Sequence, residues 1–123
     1  MRTWYNAKEN CSRLDSHLVK IESADENEFI RARLLLDTPR ADYWIGLTDE
    51  QEENKWKWSD GTNLGNYTNW GGVKHKQPND HGHNENCVGI RNGKFAGTEI
   101  YSGEWHDKGC GKSRGYICEK EEV

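Results

Sequence analysis

Apolar residues first recur at helical spacing, with Trp4, Ala7, Cys11 and Leu14 on one face. Thr3 can cap that run, which predicts a helix from about Trp4 to Asp15 with Cys11 turned inward. His17 to Glu22, H-L-V-K-I-E, then alternates loosely and reads as a short extended segment burying Leu18 and Ile21. Ser23-Ala24-Asp25-Glu26 is a capping box with extra acids at the positive helix end, so a second helix should run to about Leu36, stopped by Thr38-Pro39. Asp42 to Thr48, D-Y-W-I-G-L-T, is aromatic and β-branched and predicts a central buried strand. After an acidic cluster at Asp49, Glu50, Glu52 and Glu53, Trp56-Lys57-Trp58 reads as a short strand ending in the turn Ser59-Asp60-Gly61. Cys87 to Arg91 predicts a further strand, Asn92-Gly93 a hairpin, Lys94 to Gly103 a ragged return strand, and Gly115 to Lys120 a closing one.

Between Thr62 and Asn86 almost no period survives, and a stretch of that length inside a compact domain is usually functional. Its end, K-Q-P-N-D-H-G-H-N-E-N-C-V from Lys76 to Val88, gathers Gln77, Asn79, Asp80, Asn84, Glu85 and Asn86 around Pro78, with no apolar side chain but the proline's before Cys87. Such a loop has polar business. Carboxylate and amide oxygens are hard ligands, and roughly six to eight oxygens at about 2.3 to 2.6 Å are what calcium requires. Glu104-Trp105-His106-Asp107 brings a second polar group downstream.

Composition narrows the partners. The chain has 123 residues, which fits a single domain over residues 1–123. Mean hydropathy is -1.12, so the core is small, and six Trp with five Tyr supply much of its area. With a net charge of -4 and no long basic cluster, neither nucleic acid nor an anionic membrane is an expected partner. No apolar run is long enough for membrane insertion, and Met1-Arg2 leads straight into T-W-Y-N-A-K, which reads as a mature or recombinant fragment lacking its leader.

Cys11, Cys87, Cys110 and Cys118 lack zinc-finger spacing, so two disulfides in an oxidising compartment are expected, and with them a secreted or extracellular protein. Three pairings are open; the layout favours one long closure and one local one.

The helix carrying Cys11, the capped second helix, W-I-G-L at Trp44 to Leu47, Q-P-N-D at Gln77 to Asp80, E-N-C-V at Glu85 to Val88, W-H-D at Trp105 to Asp107 and G-Y-I-C-E at Gly115 to Glu119, in this order, resemble the C-type lectin-like domain. The resemblance runs from about Thr3 to Glu119. It implies an α+β fold of two helices, two small antiparallel sheets and a long calcium-binding loop region, with disulfides Cys11–Cys118 and Cys87–Cys110. It also implies a calcium-dependent, non-enzymatic lectin that binds terminal sugars through neighbouring hydroxyls. The implied partners are glycans of glycoproteins or microbial surfaces, in an innate-immunity setting, and a homo-oligomer is compatible with the reading. The principal calcium and sugar site maps onto Gln77, Asn79, Glu85, His106 and Asp107, and an auxiliary calcium site onto Asp49, Glu53, Asp80 and Glu85. The chain departs from the family in having little more than Met1-Arg2 where a first strand commonly stands.

Two further departures bear on affinity. Family members resembling mannose binders carry E-P-N and those resembling galactose binders Q-P-D, whereas Gln77 and Asn79 are both amides. Only Glu85 and Asp107 remain anionic, which predicts weak calcium binding at about 10⁻⁴ to 10⁻³ M. His106 replaces the usual Asn, and a proton taken up near pH 6 would repel the ion. The segment from Asn79 to Glu85 has no Trp to stack on galactose, which leans the reading toward mannose-type hydroxyls. The alternative is the same fold binding a protein or a mineral or ice surface without sugar. A zinc hydrolase built on His75, His81, His83 and His106 is disfavoured, because H-G-H spacing does not suit tetrahedral ligation. Asn66-Tyr67-Thr68 and Asn10-Cys11-Ser12 are glycosylation sequons, the second beside a cysteine expected in a buried disulfide.

Overall fold

The computed structural model describes residues 2–37, 41–51, 55–70, 86–92 and 103–120. The fold is α+β, with α1 (Trp4–Arg13) and α2 (Ala24–Asp37) packed around two sheets whose pairings are antiparallel but for one parallel strand. Thr3 caps α1, its hydroxyl accepting from the Asn6 amide at 3.2 Å. Ser23 does the same for α2 through the Glu26 amide at 3.1 Å, while the Glu26 carboxylate reaches back to the Glu22 amide.

Strands β1 (His17–Leu18), β2 (Ala41–Thr48), β3 (Lys57–Trp58), β4 (Cys87–Asn92), β5 (Trp105–Lys108), β6 (Gly115–Tyr116) and β7 (Cys118–Glu119) complete the chain. The central strand β2 pairs antiparallel with β4 along one side. Its other side is shared by β6, which runs parallel beside Tyr43 and Trp44, and β3, antiparallel beside Leu47 and Thr48. The expected closing strand is thus two: β6 joins the central sheet, and β7 pairs with β1 in a separate two-stranded ribbon. The W-H-D stretch is itself a strand, β5, paired antiparallel with β4. Asn92 ends β4, while Gly93 of the expected hairpin and all but the last residue of the Lys94 to Gly103 strand lie outside the described residues.

Strand alternation gives each face of the sheet its own core. Tyr43, Ile45, Leu47, Val88, Ile90 and Trp105 pack with Ile30 and Leu34 of α2. On the opposite face Trp44 and Cys87 pack with Trp4, Ala7 and Cys11 of α1. Three buried indoles place their N–H: Trp4 on the Ile45 carbonyl, Trp44 on the Arg2 carbonyl and Trp105 on the Asn27 side chain, as buried Trp favours. Gly46 lets β1 approach, since a Cβ there would stand 2.9 Å from the Leu18 carbonyl oxygen.

Both disulfides implied by the resemblance form. Cys11–Cys118 spans 107 residues and ties α1 to the chain's end, while Cys87–Cys110 ties β4 to the segment after β5. In the unfolded-entropy account the long closure contributes about 4 to 5 kcal/mol.

Candidate functional site

Antiparallel pairing brings the end of β2, the start of β4 and the end of β5 to one edge of the sheet, with Thr48 opposite Cys87 and Cys87 opposite Lys108. Asp49 follows β2 there, and its amide donates to the Asn86 carbonyl at 3.0 Å. The Thr48 hydroxyl donates to the same carbonyl at 2.6 Å, so the residue after Glu85 is held by two donors. Asp107 stands opposite Val88 on the adjoining strand. Asp49 and Asp107 are 2% and 1% exposed. Two carboxylates so nearly out of water at one edge require charge-stabilising surroundings.

The other end of the polar stretch is fixed just as firmly. Trp70 forms a parallel bridge with Trp105, and the Trp105 amide donates to the Asn69 carbonyl at 2.9 Å. The Trp70 and Trp105 rings meet edge to face at 5.8 Å, and Tyr67 and Trp58 meet Trp105 the same way. The Gly103 carbonyl accepts from both Asn69 and Asn27, and at its φ of +90 a side chain would be strained and would press on Arg31. Trp70 thus stands beside β5, and Asn86 beside Asp49.

Gln77, Asn79, Asp80, Glu85 and Glu53 lie outside the described residues. Among the described residues no cluster of three or more His, Cys, Asp or Glu could hold a metal. What the described edge offers a cation is carboxylate oxygen from Asp49 and Asp107, with no sulfur ligand, a donor chemistry that suits calcium.

His106 takes a different place from its neighbour. Alternation turns Asp107 toward the face of Trp105 and Val88 and His106 toward the opposite one, opposite Gly89. There its Nε2 lies 3.6 Å from a Glu104 carboxylate oxygen, and neither atom has a hydrogen-bond partner among the described residues. Beyond them, Arg91 grips the Asp42 carboxylate through Nε at 2.5 Å and Nη2 at 3.1 Å, and Lys108 stands 3.7 Å from it. Burial pushes the His106 pKa down to about 4; Asp42 opposes this, while Lys108 and Arg91 add to it. The ring stays neutral near pH 6, so the expected repulsion of a cation at that pH does not arise from it.

Asn27, Asn69 and Thr48 were not legible as site residues, because each acts by hydrogen-bonding backbone or a buried indole rather than by a motif of its own.

The family model for the lectin C-type domain matches residues 1–120. The chicken (Gallus gallus) hepatic lectin is 36% identical over 119 residues, covering 96% of this chain and 50% of that protein. The chain thus spans about half the length of that relative. Among solved structures, the mouse scavenger receptor C-type lectin carbohydrate-recognition domain matches with a TM-score of 0.80 at 36% identity, over 99% of this chain and 85% of that one. The cow carbohydrate-recognition domain of CD23, solved in the presence of a GlcNAc2Man3 oligosaccharide, matches with a TM-score of 0.75 at 33% identity, over 95% of this chain and 78% of that one.

Proposed function

This chain belongs to the C-type lectin domain family, whose carbohydrate-binding domains are not enzymes, and we propose that it is a calcium-dependent lectin for terminal sugars. The observation that carries this reading is that the described residues flanking 71–85 are both held to the sheet that carries Asp107, Trp70 by Trp105 and Asn86 by Thr48 and Asp49.

Gln77, Asn79, Glu85 and Asp107 form the principal site in this reading, and Asp49, Glu53, Asp80 and Glu85 the auxiliary one. Calcium, when bound, offers open coordination positions to two neighbouring pyranose hydroxyls. Asp107 and Glu85 supply negative charge and accept hydrogen bonds from those hydroxyls, while the Gln77 and Asn79 amides can both donate and accept. His106 backs the strand that carries Asp107, its ring buried on the other face. With two amides where the family motifs carry one amide and one carboxylate, calcium affinity is weak, about 10⁻⁴ to 10⁻³ M.

Mannose-type hydroxyls are favoured over galactose, because no Trp stands between Asn79 and Glu85 to stack on an apolar sugar face. The two disulfides support an extracellular, secreted setting, and residues 1–123 act as one carbohydrate-recognition domain for glycans on glycoproteins or microbial surfaces.

A glycan array probed in millimolar calcium, then with a chelator, tests the reading. Chelator-sensitive signal on terminal mannose, GlcNAc or fucose supports it. A blank array with calcium still raising thermal stability would leave a structural ion only and point to protein or mineral partners.

A further inference from the structure

Two sequons lie in this chain, and the fold treats them oppositely. We propose that Asn66 carries an N-linked oligosaccharide and that Asn10 does not.

Asn66 and Thr68 are both exposed, and neither makes a hydrogen bond with any described residue. Tyr67 between them is half-buried, its ring packed edge to face on Trp105 at 5.7 Å. Exposure therefore alternates along the triplet. The amide-bearing and hydroxyl-bearing side chains, whose pairing defines an acceptor, face solvent together, while the residue between them holds the segment to the core. A bulky, hydrated substituent on Asn66 displaces nothing.

Asn10 has the opposite setting. It lies within α1, partly buried, where residues two apart do not face one another, so Asn10 and Ser12 are not presented side by side. Cys11 between them is fully buried and bonded to Cys118. A glycan on Asn10 would stand against the contact that closes the chain.

The chemistry is a glycosyl transfer without redox change. The Asn66 side-chain nitrogen forms a bond to C1 of a lipid pyrophosphate-linked oligosaccharide. The C1–oxygen bond breaks, the lipid pyrophosphate leaves, and the amide gives up one proton. The donor and its transferase occupy the same kind of compartment in which the two disulfides form. The oligosaccharide would stand at the root of the segment that ends on Trp70.

The test is intact mass and peptide mapping of the full chain secreted from eukaryotic cells, before and after peptide N-glycosidase, which leaves Asp where a glycosylated Asn stood. The expected result is one enzyme-sensitive glycan and Asp at position 66. Asn66→Gln and Thr68→Ala each abolish the glycan, Thr68→Ser keeps it, and Asn10→Gln changes nothing, with thermal midpoints matching the parent throughout. An unmodified Asn66 in the secreted protein, or a glycan found on Asn10, would overturn the proposal.

Discussion

Trp70 and Trp105 are joined twice, by a parallel backbone bridge and by rings meeting edge to face at 5.8 Å. Trp105 in turn donates its indole N–H to Asn27 of α2 at 2.8 Å. One indole thus connects the second helix, the start of the polar loop and the strand that carries Asp107. The position of the candidate site depends on a helix residue well separated from it in sequence.

Asn27→Ala should therefore destabilise the protein by about 1 to 3 kcal/mol, because the Trp105 N–H is left buried without its acceptor and the Gly103 carbonyl loses a donor. Urea unfolding measures this. A loss below about 0.5 kcal/mol, the range of ordinary surface substitutions, would show that the indole finds another partner.

Asp42 and Arg91 form a bidentate pair with both side chains less than a tenth exposed. Removing either partner alone leaves a buried charge and should cost about 3 to 5 kcal/mol. Replacing both by apolar residues of similar volume should cost clearly less than the sum of the single changes. A double-mutant cycle with additive costs would contradict the pairing.

His106 makes stability depend on pH. The unfolded chain takes up a proton near the ordinary value of 6.5, whereas the folded chain resists until about 4. Between those values the unfolded state binds more protons, so stability falls as pH is lowered through that window and is unaffected by this group above it. At about 1.4 kcal/mol per unit the effect reaches a few kcal/mol. Denaturant unfolding at pH 7 and pH 5, in chelator, should show a smaller drop for His106→Asn than for the parent. Equal drops would place the dependence elsewhere.

The elements that read correctly from sequence were those whose signal is local. Thr3 and Ser23 announce helix starts because their side chains satisfy amides within a few residues, and both do so in the fold. The D-Y-W-I-G-L-T strand is apolar on both faces because it lies between two cores. The closing segment misled, since Tyr116 and Glu119 pair with strands far apart in sequence, and such partners leave no local mark. W-H-D read as a polar group because His106 and Asp107 are titratable. As neighbours on a strand they project to opposite faces, which the motif alone does not reveal. At the candidate site, Asp49 and Asp107 come to one edge, whereas Gln77, Asn79, Asp80, Glu85 and Glu53 fall outside the described residues.

The most direct measurement compares the parent with Asp107→Asn, an isosteric change that removes one anion from the principal site, on the same glycan array and in calcium titrations followed by thermal unfolding. At a hundredfold excess of calcium over its dissociation constant the parent should gain about 2.7 kcal/mol from each occupied site. It should also retain chelator-sensitive sugar signal. The variant, folded in chelator like the parent, should lose the sugar signal and keep only the part of the gain that comes from the auxiliary site. Sugar binding that persists in Asp107→Asn, or in the parent after chelation, would contradict a calcium-centred site at this edge of the sheet.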